Sequence, residues 1–102
     1  MKYYIYILYA VKFDKYYVGY STNIEKRLLL HNTTNSVTFT SKYRPWELGA
    51  LFYVGDDKSE VLHLEKFIKK QKSKQLLIKL CDVNFLPENK LAQLVRVPHV
   101  RD

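Results

Sequence analysis

Two apolar runs close to the N-terminus limit what this chain can become. Tyr3-Tyr4-Ile5-Tyr6-Ile7-Leu8-Tyr9 is dense in aromatic and β-branched residues, which suit a pleated surface better than a helix. The run is apolar at both parities of a two-residue period, so it predicts a strand buried on both faces. A polar break at Lys12 to Lys15 separates it from Tyr16-Tyr17-Val18-Gly19-Tyr20. Two such runs around a short turn predict an antiparallel hairpin. On that reading Tyr4, Tyr6 and Leu8 share one face of the first strand, while Tyr17 and Gly19 share one face of the second. A glycine inside a strand is costly unless something must come close to the backbone there.

The remainder reads as helices and one further strand. Ser21, Thr22 and Asn23 offer N-cap side chains for a helix beginning at Ile24, and Asn32 to Ser36 end it in a polar loop. Residues 37 to 46 look irregular, with Pro45 as a breaker, before Leu48 to Val54 form a third apolar strand. Asp57 and Glu60 have capping-box spacing for a second helix over about Ser59 to Gln71. A short helical piece follows around Gln75 to Leu80. Pro87 suits the first turn of a last helix ending near Leu94. The last eight residues, with Pro98 and two arginines, are expected to fray. The fold class is therefore α+β: a three-stranded, mostly antiparallel central sheet flanked by helices, with strands near residues 3–9, 16–20 and 48–54.

Size and charge narrow the function. A chain of 102 residues, 47% of them hydrophobic, makes one domain with its own core. Seventeen Lys+Arg against ten Asp+Glu leave a formal charge of +7, which attracts polyanions and points to a phosphate-bearing partner. A single cysteine, Cys81, excludes an internal disulfide framework and a cysteine cage for zinc; placed in an apolar run, it reads as a buried thiol. No apolar run reaches the ~20 residues of a membrane span, and Met1-Lys2-Tyr3-Tyr4 does not look like a secretory leader, so a cytoplasmic location is expected.

Three features could carry chemistry. On a helix at ~100° per residue, Ile24, Leu28, His31 and Arg27 fall within one arc, with Arg27 and His31 stacked one turn apart. The bland reading is an arginine that snorkels from the edge of the arc. On the second helix Val61, Leu64, Phe67 and Ile68 form an apolar stripe, and Glu65 lies on its margin. Glu65 is either half of an i,i+4 ion pair with Lys69, worth only ~0.3–0.5 kcal/mol, or a ligand for a hard divalent ion. Nine tyrosines are the third anomaly. Most strand tyrosines pack against neighbours, yet their phenols can also donate, accept or, near a cation, deprotonate.

Taken together these features match a pattern. Tyr4-Ile5-Tyr6 and Tyr17-Val18-Gly19, with Tyr17 eleven positions after Tyr6, resemble the two half-motifs that give the GIY-YIG nuclease family its name. The likeness continues through Tyr20-Ser21-Thr22, Glu25-Lys26-Arg27-Leu28, His31-Asn32, Arg44-Pro45-Trp46-Glu47-Leu48 and Leu64-Glu65-Lys66-Phe67-Ile68. It covers about residues 1–75 and is similar to the small, single-domain bacterial branch related to the nuclease domain of excision-repair enzymes. Residues 76–102 would be a C-terminal helical extension and tail of the same domain. Tyr4 stands where the name-giving glycine would be, and Thr38-Phe39-Thr40-Ser41-Lys42 replaces a commoner tyrosine-threonine-arginine run.

The resemblance implies a DNA endonuclease that hydrolyses phosphodiesters with one divalent ion, Mg²⁺ or Mn²⁺, in repair or recombination. It implies Tyr6, Tyr17, Arg27, His31 and Glu65 as catalytic residues, with Glu65 holding the metal. Arg27 would brace the phosphoryl group and Tyr6 or Tyr17 would activate the water; Tyr6 is the favoured base, with Tyr17 and His31 orienting or relaying. Arg27, Lys42, Lys66, Lys69, Lys70 and Lys72 are the expected contacts to DNA, with Lys74 following in the same basic stretch. Two other readings stay open: a non-catalytic module that binds nucleic acid through Lys66 to Lys74 and exposed tyrosines, and a protein-interaction domain on the same scaffold.

Overall fold

The computed structural model describes residues 1–34 and 38–99. Four strands, β1 (Tyr3–Ala10), β2 (Lys15–Ser21), β3 (Glu47–Gly55) and β4 (Val95–Arg96), form one antiparallel sheet in the order β2-β1-β3-β4. Three helices, α1 (Ile24–Thr33), α2 (Lys58–Lys70) and α3 (Lys74–Cys81), complete the α+β fold.

β1 is the central strand, and its double-sided apolar pattern is answered by a core on each face. Ile5 and Ile7 join Val18, Ala50, Phe52 and the α2 stripe Val61, Leu64 and Ile68 on one side. Tyr6, Leu8 and Ala10 join Trp46 and Leu51 on the other, with Tyr17, Ile24 and Leu28 packed against them. The hairpin register places Tyr6 opposite Gly19 and Leu8 opposite Tyr17, so both half-motifs present side chains to the α1 face. A register shift between Ile7–Ala50 and Leu8–Leu48 leaves Gly49 as the extra residue of a bulge in β3.

The helix starts follow from their caps. The Asn23 side chain accepts from the Lys26 N–H, Asp57 from Ser59 and Ser73 from Leu76, each satisfying a first-turn donor. The cap of α2 is thus the Asp57 side chain alone, and the helix begins at Lys58, one residue earlier than expected. α1 docks loosely: none of its residues is fully buried, whereas α2 and α3 bury Val61, Leu64, Ile68 and Leu80.

The expectations fail at the C-terminal end. The helix expected after Pro87 is a single turn of 3-10 helix at Asn89–Leu91, whose Leu91 enters the core. The segment expected to fray supplies the fourth strand: Val95 and Arg96 pair with Tyr53 and Phe52, the Val97 N–H donates to the Leu51 carbonyl, and His99 Nε2 lies 3.0 Å from the Leu48 carbonyl. A two-residue strand has no periodicity to detect, and its pairing is set by the open edge of β3. The irregular reading of residues 37–46 holds from Thr38 onward, with a 3-10 turn at Thr40–Lys42; residues 35–37 lie outside the described residues. No helix among the described residues is long and apolar enough to cross a membrane.

Candidate active site

The two helices that carry Arg27 and Glu65 lie on opposite faces of the sheet, and the Arg27 charge reaches Glu65 past the outer strand β2. The outer edge of β2 has no strand beyond it among the described residues, so its outward backbone groups are available to side chains. Glu65 lies by one: the Tyr20 N–H is among the groups that act on its carboxylate. The side chain is only 16% exposed, and its Oε2 lies 3.8 Å from Lys69 Nζ. Burial raises the Glu65 pKa, against the lowering influence of Lys69, Arg27 and the Tyr20 hydrogen bond. A carboxylate that is desolvated yet flanked by two cations retains affinity for positive charge.

Arg27 stands exposed on α1, and its guanidinium makes no ion pair or hydrogen bond among the described residues. It lines a cleft of about 270 Å³ with Tyr17, His31, Thr38, Phe39 and Thr40. Glu65 lines a separate depression with His63, Lys66 and Lys69. Lys69 links the two, since its ammonium also sits 5.2 Å from the centre of the Tyr17 ring.

Beneath the cleft runs a chain of polar contacts. Tyr6 Oη is 2.8 Å from His31 Nε2, and His31 Nδ1 is 3.0 Å from Thr40 Oγ1. Burial, then the Arg27 and Arg44 charges, holds the His31 pKa below its usual value, so the ring is neutral at pH 7 and carries one N–H. Burial, and next the neighbouring Tyr17, drives the Tyr6 pKa far up, so its phenol keeps its proton. The arrangement that satisfies every donor has Tyr6 O–H donating to Nε2 and Nδ1–H donating to Thr40. Thr40 is itself buried, and its carbonyl accepts the Trp46 indole N–H at 2.7 Å.

Tyr6, Tyr17, Arg27, His31 and Glu65 therefore lie within electrostatic reach of one another: Tyr17, Arg27 and Glu65 all act on the Tyr6 phenol, and the His31 ring centroid is 5.0 Å from that of Tyr17. A profile of the GIY-YIG catalytic domain matches residues 2–77, three-quarters of the chain. The chain belongs to the GIY-YIG family. A UPF0213 protein of Staphylococcus saprophyticus is 40% identical over 68 residues, 67% of this chain and 80% of that protein. Another, from Lactococcus lactis subsp. cremoris, is 32% identical over 79 residues, 78% of this chain and 80% of that protein. The names of these relatives state no activity; the family itself is one of nucleases.

Seen as a GIY-YIG domain, the motif residues divide by depth. Tyr6 is 2% exposed and lies under the cleft, whereas Tyr17 is half-buried and lines it. The lysines divide too. Lys66 and Lys69 flank Glu65, and Lys72 lines a pocket on the far side of Tyr17. Lys42 and Lys70 are exposed and border none of these cavities.

Several members of the site carry no signal in the GIY-YIG half-motifs. Thr40 and Thr38 complete the polar chain from His31, Arg44 donates from Nε to the His31 carbonyl at 2.7 Å, and Asn32 both donates to and accepts from the Trp46 backbone. Asn32 and Arg44-Pro45-Trp46 are visible in the sequence as residues of the likeness, but their role in holding the 38–46 segment against α1 is not.

Proposed function

We propose that this domain is a divalent-metal-dependent endonuclease hydrolysing phosphodiester bonds in DNA, in repair or recombination. The observation that supports it is the meeting of an unpaired Arg27 and a half-buried Glu65, from helices on opposite faces of the sheet, beside the phenol of Tyr17. A hydrophobic scaffold has no need to bring opposite charges to one edge without pairing them.

The donor set suits a hard ion. Among the described residues no group of three or more His, Cys, Asp or Glu side chains gathers, so a single carboxylate is what the site offers. Mg²⁺ and Mn²⁺ accept that arrangement, because they keep water and phosphate oxygens in most positions. Glu65 is the residue that would hold the ion, which when bound supplies Lewis-acid charge to the phosphate oxygens.

The chain's own residues perform the rest. Arg27 presents a fork of N–H donors to the phosphoryl oxygens as negative charge grows on them. Tyr17, at the cleft surface, orients the attacking water and removes its proton. The burial of Tyr6 favours this over the assignment to Tyr6 that the motif alone suggests, since a phenol held protonated under the surface is a poor base. Tyr6 instead anchors His31, whose ring packs on Tyr17 and sets its orientation. Lys66 and Lys69 hold flanking phosphates, and the overall charge of +7 draws the polyanion in.

The test is cleavage of a panel of flaps, forks and duplexes with and without Mn²⁺. Metal-dependent product on any of them supports the reading. No product on all, with binding intact, moves the assignment to a non-catalytic nucleic-acid-binding domain.

A further inference from the structure

A second cavity opens on the far side of Tyr17 from Arg27. It is about 430 Å³, within the range of small-ligand pockets, and is walled by Tyr16, Tyr17 and Phe39 over a floor of Ile68 and Leu77. The rings of Tyr17 and Phe39 lie close to parallel, at 27° with centroids 6.2 Å apart, and Phe39 is 47% exposed, so an aromatic face is open to solvent.

The rim supplies the complementary charge. Lys74 is matched by Asp14 and Lys69 is shared with Glu65. Lys72 has no side-chain partner among the described residues, while Lys15 lies 5.4 Å from the centre of the Tyr43 ring and acts on Asp14. An apolar, aromatic slot with the uncommitted ammonium of Lys72 at its mouth matches a flat π-system joined to a phosphate. Stacking on an aromatic ring and contact with a lysine are how unpaired nucleotides are held without regard to sequence.

We infer that this cavity is a nucleotide subsite: it takes the base of an unpaired nucleotide against Phe39 and Tyr17, with Lys72 on its phosphate. Tyr17 and Phe39 border both this cavity and the cleft that holds Arg27, and Lys69 on the cavity's rim pairs with Glu65, so a base seated here sets the next phosphate beside Arg27 and Glu65. The inference rests on the nuclease reading for the identity of that phosphate. It narrows the substrate class to DNA with an unpaired nucleotide at the cut.

The subsite is tested without metal, so that failure of catalysis and failure of the subsite are told apart. In EDTA, a fluorescent ten-nucleotide thymidine oligomer and a spacer of equal phosphate count lacking bases are titrated against the wild-type protein. The same oligomer carrying one 2-aminopurine reports stacking by quenching. The subsite predicts binding of the base-bearing oligomer at least about fivefold tighter than the abasic spacer, with quenching. Phe39→Leu should remove most of that ratio and the quenching. Lys72→Gly, which accepts the φ of +48° at that position, should weaken both ligands alike. Circular dichroism and melting temperature confirm that each variant is folded. Equal affinity of wild type for the two ligands, or binding of neither, overturns the subsite; so does quenching that survives Phe39→Leu. Mn²⁺-dependent cleavage, scored separately, decides the nuclease reading whichever way this falls.

Discussion

The Tyr6 ring closes directly over Gly19: a Cβ at that position would sit 2.3 Å from Tyr6 Oη and 2.5 Å from Cζ. The two residues face each other across the hairpin, so the glycine of one half-motif is the space required by the tyrosine of the other. Tyr6 cannot swing aside cheaply, because it is buried and its hydroxyl is held by His31. Gly19→Ala is expected to destabilise the domain by about 1–3 kcal/mol through overpacking. Denaturant unfolding checks it, and the penalty should shrink when Tyr6→Ala supplies the space, in a double-mutant cycle. An unchanged penalty in the Tyr6→Ala background would mean that some other contact sets it.

Glu65→Gln should separate catalysis from folding. It keeps the side chain's size and an oxygen for the Tyr20 N–H while removing the charge. Metal-dependent cleavage should fall at least about a hundredfold, the upper end seen for losing even a ligand's supporting partner. DNA affinity should hold or rise. The pH dependence carries a definite sign: the folded-state pKa of Glu65 is raised, chiefly by burial, so the fold favours the protonated form. That contribution is complete below the ordinary carboxylate range and is lost as pH rises through the raised value. Without metal, Glu65→Gln should therefore melt no lower than wild type at pH 7 and gain nothing at pH 3. A clear loss of melting temperature at pH 7 would make Glu65 a structural partner of Lys69.

His31 gives the opposite slope. Its pKa is depressed by burial first and by Arg27 and Arg44 next, so charging it opposes folding. The stability it contributes is full above the ordinary histidine value of about 6.5 and is lost as pH falls through the depressed one. Thermal unfolding between pH 7.5 and 5 should show a loss for wild type that His31→Gln flattens. Parallel curves for the two proteins would place the acid sensitivity elsewhere.

The lysines should not contribute equally to DNA binding. If three phosphates of a duplex are neutralised, log affinity falls with log salt at a slope of about −2.7. Lys66→Ala, beside Glu65, should reduce that slope by about 0.9, whereas Lys70→Ala should leave it unchanged. Equal effects of the two substitutions would spread the contact over the whole face of α2.

What can be read in advance depends on how far each residue's neighbours lie along the chain. β1, β2 and β3 announce themselves through runs of Tyr, Ile, Val and Leu, and the stripe of α2 places Glu65 at a margin because helical geometry is local. Gly19 can be marked as a position awaiting a close neighbour, yet only the hairpin register identifies Tyr6 as that neighbour. Thr40 is beyond reach: nothing near it in sequence indicates that a loop folds back to offer its hydroxyl to His31. The relative depth of Tyr6 and Tyr17 is hidden for the same reason. Both sit at equivalent positions of apolar strands, and it is the central place of β1 and the edge place of β2 that bury one and open the other.

β4, short as it is, closes one margin of the sheet. Val95 and Arg96 occupy backbone groups of β3 that would otherwise be a template for another chain, and the guanidinium of Arg96 lies 4.8 Å over the Phe52 ring. At the other margin the Glu65 carboxylate lies near the Tyr20 N–H. On the DNA-directed reading proposed above, a chain of charge +7 gathers many copies along one polyanion, the circumstance in which bare strand edges seed polymers. Cutting the chain after Leu94 would remove β4, leave most of both cores in place and bare the β3 edge for pairing between copies.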